Sequence, residues 1–230
     1  RFRGKILLTS HSPIPFHLEV MSRMSKTDRM LMGKYYNELA KIDAYAFNTA
    51  DYVIYPCKQA EESYIKNWLD YSDIVSNTRH EYVLSGIKPC YAKIKKEEIR
   101  RKYNIPQESF VYCYVGRYNS IKGYDILKVI GNEILESNPN AWIIVAGKEE
   151  PLKRLDHQRW IEVGWTNDPH SIIAASNVFI LPNKETYFDL VLLEVLSLGC
   201  PVVASNTGGN KVFQELDDNG IVLYDTVDEA

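Results

Sequence analysis

Between Phe110 and Tyr224 short apolar runs alternate with amphipathic stretches, and this alternation limits the fold more than any other feature of the chain. The pattern predicts strands at Phe110–Val115, Trp142–Ala146, Trp160–Val163, Val178–Leu181, Val202–Ser205 and Ile221–Tyr224. It predicts helices at Tyr124–Leu135, His170–Ala175, Leu190–Leu198 and Lys211–Glu215. Brief β-rich runs joined by helix-length stretches imply βαβ units, hence an α/β fold whose parallel sheet is covered on both faces. Open sheets of this kind bind ligands beyond the carboxyl ends of their strands. The residues that directly follow each strand are therefore the ones to read for function.

The first half of the chain is less regular. Strands are expected at Lys5–Ser10, Tyr52–Tyr55 and Glu81–Leu84, with helices at Met32–Thr49 and Lys58–Leu69. Ser85–Ile105 holds Ser-Gly, Lys-Pro and the run KIKKEEIRRKY, and is the best candidate for a domain boundary. The run itself reads as a short solvated helix with i,i+4 pairs such as Glu97–Arg101. The length of 230 residues allows one large domain or two smaller ones. With 27 basic and 30 acidic residues, the formal charge of -3 gives no reason to expect nucleic acid or anionic lipid as a partner. No apolar run approaches the roughly 18 residues of a membrane span, and no secretory signal opens the chain. Cys57, Cys90, Cys113 and Cys200 lie too far apart for a zinc motif and read as buried free thiols. The sixteen tyrosines are scattered and read as packing and surface material.

Several strand exits carry chemistry. VYCYVG ends at Gly116, followed by Arg117, a short loop, Lys122, Gly123 and a helix. Two cations at a helix start, beneath free backbone N–H groups, suit a diphosphate; a plain strand–helix turn with two surface cations explains the same residues. Ala141–Gly147 ends in the same way, with Lys148 beyond the glycine. Trp160–Val163 leads into Gly164, Trp165 and Thr166, then Asp168 as a helix cap and Pro169 in the first turn. Trp165 can stack on a base or simply pack. In VFILPNKETYFDLVLLEVLSLGCPVVASN, Glu194 stands one to two turns into a helix among Val191, Leu192, Leu193 and Val195. A carboxylate in such a setting needs a partner: a ribose's vicinal hydroxyls, or a neighbouring lysine or arginine. His11 follows a strand and precedes Ser-Pro, a turn residue if nothing else. His17, His80, His157 and His170 read as surface or helix-end residues.

Several segments, in this order, resemble the retaining nucleotide-sugar glycosyltransferases of GT-B fold, family 4. They are TSHSPIP, YVLSGIK, VGRYNSIKGYDIL, AWIIVAGK, WIEVGWTNDPHSIIAASNVFILPN and FDLVLLEVLSLGCPVVASNTGG, spanning about His11 to Asn219. NKETYFDLVLLEV is similar to the bacterial transferases that attach N-acetylglucosamine to serine-rich adhesins, and to their polysaccharide-building relatives. The resemblance implies that 1–84 is the C-terminal portion of an acceptor-side Rossmann-like domain. It implies that 85–230 is a donor-binding Rossmann-like domain, truncated at its end. Arg117 and Lys122 would hold the donor diphosphate, and Gly116 would let it approach. Glu194 would bind the nucleoside ribose, and the backbone at Asp189 and Leu190 would reach sugar or phosphate beside Phe188. Gly164, Trp165 and Thr166 would lie beside the base, and His11 near the reacting carbon. The donor would be a UDP-sugar or similar, the acceptor a glycan, lipid or protein, with no metal or other cofactor. The location would be cytoplasmic or peripheral at the inner face of the membrane.

Three departures from the pattern matter. The family's first glutamate falls on Thr186, with Glu185 one residue earlier and able to take its role. A glycine of the family falls on Asp189, whose charge beside a diphosphate is unfavourable unless it turns outward. Ser85 and Lys88 replace the interdomain Asn and Asp. Thr186 also favours an alternative: a catalytically silent homologue that stabilises or chaperones a partner glycosyltransferase. The chain reads as a fragment, expected by itself to bind nucleotide-sugar weakly or not at all and to be inactive.

Overall fold

The computed structural model describes residues 4–24, 28, 33–149, 151–215 and 220–230. The chain divides into two units, one of Arg1–Ser85 with Thr186–Phe188, the other of Gly86–Glu185 with Asp189–Ala230.

The first unit runs β1 (Leu7–Thr9), α1 (Phe16–Arg23), α2 (Gly33–Thr49), β2 (Tyr52–Tyr55), α3 (Lys58–Asn67), α4 (Tyr71–Ile74) and β3 (Arg79–Tyr82). Its three strands are parallel, with β2 in the middle. The expected strand at Glu81–Leu84 lies two residues earlier, because Tyr52 pairs with Arg79 and sets the register. Met32, expected to open the second helix, lies outside the described residues. The core is aromatic: Phe47, Tyr55, Tyr64, Trp68 and Tyr71 are buried around Val53 and Ala60. His17, read from sequence as a surface residue, is buried here. Its Nδ1 lies 2.7 Å from Asp43 Oδ2 and its ring meets Trp68 edge-on. Buried Glu61 accepts from the Tyr71 hydroxyl at 2.8 Å and the Tyr82 hydroxyl at 2.5 Å, and lies 2.6 Å from His80 Nδ1. Burial and this carboxylate push the Tyr82 phenol up to about 12.

The second unit runs α5 (Lys96–Lys102), β4 (Phe110–Val115), α6 (Tyr124–Ser137), β5 (Ala141–Ala146), β6 (Trp160–Gly164), α7 (Pro169–Ala174), β7 (Val178–Leu181), α8 (Leu190–Ser197), β8 (Val202–Ser205) and β9 (Ile221–Tyr224). All six strands are parallel, in the order β6-β5-β4-β7-β8-β9. The chain starts at the centre, builds outward to β6, then returns to β4 and builds the other way. The reversal falls between β4 and β7, and the carboxyl ends of strands at such a point are where sheets of this kind take ligands.

Alternate residues of the strands feed two cores. Val111, Cys113, Ile144, Phe179 and Leu181 pack with Ile99 of α5, Ile172 of α7 and Leu192 of α8. Tyr114, Ile143, Val145 and Ile180 pack with Tyr124, Leu127 and Ile130 of α6. Asp168 caps α7 by accepting from Ser171 N at 3.3 Å, with Pro169 as the first helical residue. The helix expected at Lys211–Glu215 is instead a 3-10 helix over Gly208–Glu215. None of the four cysteines is in a disulfide; Cys57, Cys113 and Cys200 are buried and Cys90 partly so.

The charge run 93–103 is not simply a solvated face. Arg100 is 2 % exposed, and its guanidinium donates to the carbonyls of Ala175, Gln107 and Ser109 and to Asn177 Oδ1. Among the described residues Arg101 reaches only the backbone carbonyl of Glu97. Among the described residues no helix is long and apolar enough to cross a membrane.

Candidate functional site

The loop after β4 is shaped from within. Tyr114, buried on the α6 side of the sheet, donates its hydroxyl to Arg117 O at 2.9 Å and reaches Lys122 O at 3.5 Å. One phenol thus ties both ends of the loop that carries the two cations. The same ring explains Gly116: a β-carbon there would lie 2.7 Å from the Tyr114 hydroxyl oxygen. Burial, reinforced by the nearby Asp189 charge, pushes the Tyr114 phenol up. It therefore stays a neutral donor. Asn119 Oδ1 accepts from Lys122 N at 2.9 Å and fixes the turn before α6.

The Lys122 side chain crosses the reversal point of the sheet. Its Nζ lies 3.1 Å from Asp189 Oδ1, the lysine one-third exposed and the aspartate 6 % exposed. Asp189 Oδ2 accepts from Asn183 Nδ2 at 2.6 Å and Asn210 Nδ2 at 3.4 Å. Asp189 does not turn outward: it is buried at the start of α8 and held by Lys122, Asn183 and Asn210. A carboxylate denied water there requires these donors. Arg117 is exposed and its guanidinium makes no hydrogen bond or ion pair to the described residues.

Glu194 stands on α8 five residues past Asp189, about 7 Å along the helix axis at 1.5 Å per residue. It is not enclosed by apolar side chains: about a third of its side chain is exposed, and its neighbour is a histidine, not a lysine or arginine. His170 Nε2 lies 3.5 Å from Glu194 Oε2. Both face a groove of 580 Å³ walled by the extended segment 87–93. That segment is pinned to the unit by Cys90 N donating to Ser197 Oγ and by Lys93 N and Ile94 N donating to Ser171 Oγ.

The other expected residues lie as follows. Gly164 has φ +75° with open space above its α-carbon. Trp165 does not pack: it is 77 % exposed at the rim of a 440 Å³ groove shared with Lys148 and Arg154. Thr166 Oγ1 accepts from Asp168 N at 3.0 Å and lines a separate hollow beside α5. Glu185 is exposed, Thr186 buried, Phe188 half-buried and Leu190 exposed. His11, in the first unit, is exposed just beyond β1. Lys122, Asp189, Leu190 and Glu194 are thus gathered on or against one helix. Sequence reasoning passed over Tyr114, Asn183, Asn210 and His170. A carboxylate at the start of α8 was the signal that could have led to the two asparagines. Among the described residues no group of His, Cys, Asp or Glu could hold a metal ion.

Residues 95–230 match the family described as Glycosyl transferases group 1. A UDP-Gal:alpha-D-GlcNAc-diphosphoundecaprenol alpha-1,3-galactosyltransferase of Escherichia coli is 28% identical over 142 residues, 56% of this chain and 37% of that protein. The O-antigen biosynthesis glycosyltransferase WclY of Escherichia coli is 26% identical over 170 residues, 70% of this chain and 46% of its own length. The chain thus spans less than half of these curated relatives. Among solved structures, Anabaena HepE in complex with UDP-glucose superposes with a TM-score of 0.69 at 18% identity, covering 99% of this chain and 60% of that one. WaaG, involved in lipopolysaccharide biosynthesis, superposes with a TM-score of 0.70 at 16% identity, covering 98% and 64%. The fold is α/β of GT-B type. With more than half of its length matched, the chain belongs to the glycosyl transferases group 1 family.

Proposed function

We propose that the intact protein is a retaining glycosyltransferase that moves a hexose or N-acetylhexosamine from a nucleotide-diphosphate sugar, with UDP as the nucleotide, to a glycan, lipid or protein acceptor. One observation carries this reading: Lys122 reaches the start of α8 at the sheet's reversal point, and Glu194 stands about 7 Å further along the same helix. That separation is of the order between the terminal phosphate and the ribose hydroxyls of a nucleoside diphosphate. The UDP-glucose bound by HepE and the UDP-Gal used by the Escherichia coli relative support the choice of nucleotide.

In this reading, 86–230 is the donor side and the first unit the acceptor side. Lys122, Arg117 and the N–H groups opening α8 hold the diphosphate, and stabilise its charge as it leaves. Gly116 leaves backbone within reach of the phosphates. The Glu194 carboxylate accepts both ribose hydroxyls once His170 yields. Exposed Trp165 offers a ring face to the base beside Gly164 and Thr166. His11 and Glu185 serve the reacting sugar, with Thr186 and Phe188 lining its site, and no metal is needed. The acceptor attacks on the face the diphosphate leaves, so configuration is retained.

In the intact protein, Lys122→Ala and Glu194→Ala are each expected to weaken UDP binding about 10- to 100-fold, measured by calorimetric titration, since each removes a charged hydrogen-bond partner. Wild-type affinity in both variants overturns the site. A second reading, a silent homologue that supports a partner transferase, is favoured by Thr186, buried where a carboxylate is expected, with Glu185 in solvent. Tight partner binding with no donor binding would select it.

A further inference from the structure

The carboxylate beside the phosphate-binding lysine is an electrostatic oddity. Asn183 and Asn210, each 1 % exposed, hold Asp189 in place alongside Lys122, which is one-third exposed and keeps its ammonium 3.1 Å from the carboxylate. Both amides turn their NH2 groups on the carboxylate, and among the described residues the buried amide oxygens of Asn183 and Asn210 have no hydrogen-bond partner. The charge is thus built in, and any anion drawn to the Lys122 ammonium comes within about two hydrogen-bond lengths of it, roughly 6 Å.

We infer that Asp189 is a specificity-determining residue that reads the charge of the diphosphate, disfavouring the nucleoside diphosphate product relative to the nucleotide-sugar donor. The inference rests on the donor site proposed above. A nucleotide-sugar carries its diphosphate as a diester with two negative charges. After transfer the terminal phosphate is a monoester, close to one charge more negative near neutral pH. One extra charge at about 6 Å from a fixed carboxylate, partly screened by solvent, corresponds to roughly a tenfold change in affinity. Lys122 still attracts both ligands, and Asp189 subtracts more from the product, which eases its release.

The test is calorimetric titration of the intact protein with UDP and UDP-glucose in chelator-treated buffer, alongside Asp189→Asn and Asp189→Ala. Asp189→Asn is expected to tighten UDP about tenfold more than it tightens UDP-glucose, so that the preference for the sugar nucleotide falls. Equal tightening of both ligands, or weaker binding of both, overturns the inference and makes Asp189 a positioning residue for Lys122. Should the variants not fold, the unmodified protein decides: it is expected to bind the β-methyl ester of UDP more tightly than UDP itself, and the reverse order overturns the inference. Failure of the donor site gives a different pattern, with no UDP binding to the unmodified protein or binding indifferent to Lys122→Ala and Glu194→Ala.

Discussion

Gly123→Ala is expected to destabilise the 86–230 unit by about 4 kcal/mol or more and to remove nucleotide binding with it. A β-carbon at this position would lie 1.6 Å from Pro182 O, and the obstacle is backbone at the exit of β7, not a side chain that can rotate away. The residue also has φ +65°, a conformation that costs a non-glycine residue on the order of 1 kcal/mol. Gly164→Ala separates the two contributions. Gly164 has φ +75° but nothing within 4 Å of the added carbon, so it should lose only about 1 kcal/mol. Denaturant titration of both variants checks this, and similar losses would show that the close approach at Gly123 is relieved at little cost. The result bears on function because Gly123 begins α6 directly after Lys122. The close approach of α6 to Pro182 is what brings the lysine across to Asp189 on the far side of the reversal point.

The parts of this arrangement that sequence made legible are those with a local physical cause. Strands β4, β7, β8 and β9 were located to the residue, because each is a mainly apolar run bounded by glycine, proline or polar turn residues. The cap at Asp168, the place of Lys122 in the turn before α6 and that of Glu194 on α8 were legible for the same reason. The pairing of Lys122 with Asp189 was not. The two residues are 67 positions apart, and they meet only because β4 and β7 are neighbours in the sheet although two other strands separate them in the chain. Sequence therefore presented Asp189 only as a charge unfavourable beside a diphosphate unless it turned outward, whereas the fold supplies Asn183 from just beyond β7 and Asn210 from the 3-10 helix after β8. His17 and Arg100 failed for a related reason. Charge run and composition describe an average environment, and each residue found a particular set of buried partners.

Arg100 gives the second large effect, one of stability without chemistry. Its four hydrogen bonds join α5 to the turn before β4 and to the end of α7, through Gln107, Ser109, Ala175 and Asn177. Asn177 in turn accepts from Val111 N at 2.9 Å, so the guanidinium also holds the first residues of β4 in place. Burial pulls the Arg100 pKa below the ordinary arginine value, yet an arginine titrates so high that the group remains charged at neutral pH. Arg100→Met fills much of the volume but takes the guanidinium donor from three carbonyls and leaves Asn177 Oδ1 with Val111 N alone. Unsatisfied buried acceptors cost about 1–3 kcal/mol each and are not additive, which puts the expected loss at about 3–5 kcal/mol. Arg100→Lys should recover less than half of it, because a single ammonium cannot reach acceptors spread around a planar fork. Chemical denaturation of both variants tests this, with UDP titration as the control. At temperatures where Arg100→Met remains folded, its nucleotide affinity should equal that of the unmodified protein, since α5 lies away from the Lys122–Asp189 pair in the hydrogen-bond network. A Lys variant as stable as the wild type would mean that the charge, and not the four-way geometry, holds α5 to the sheet.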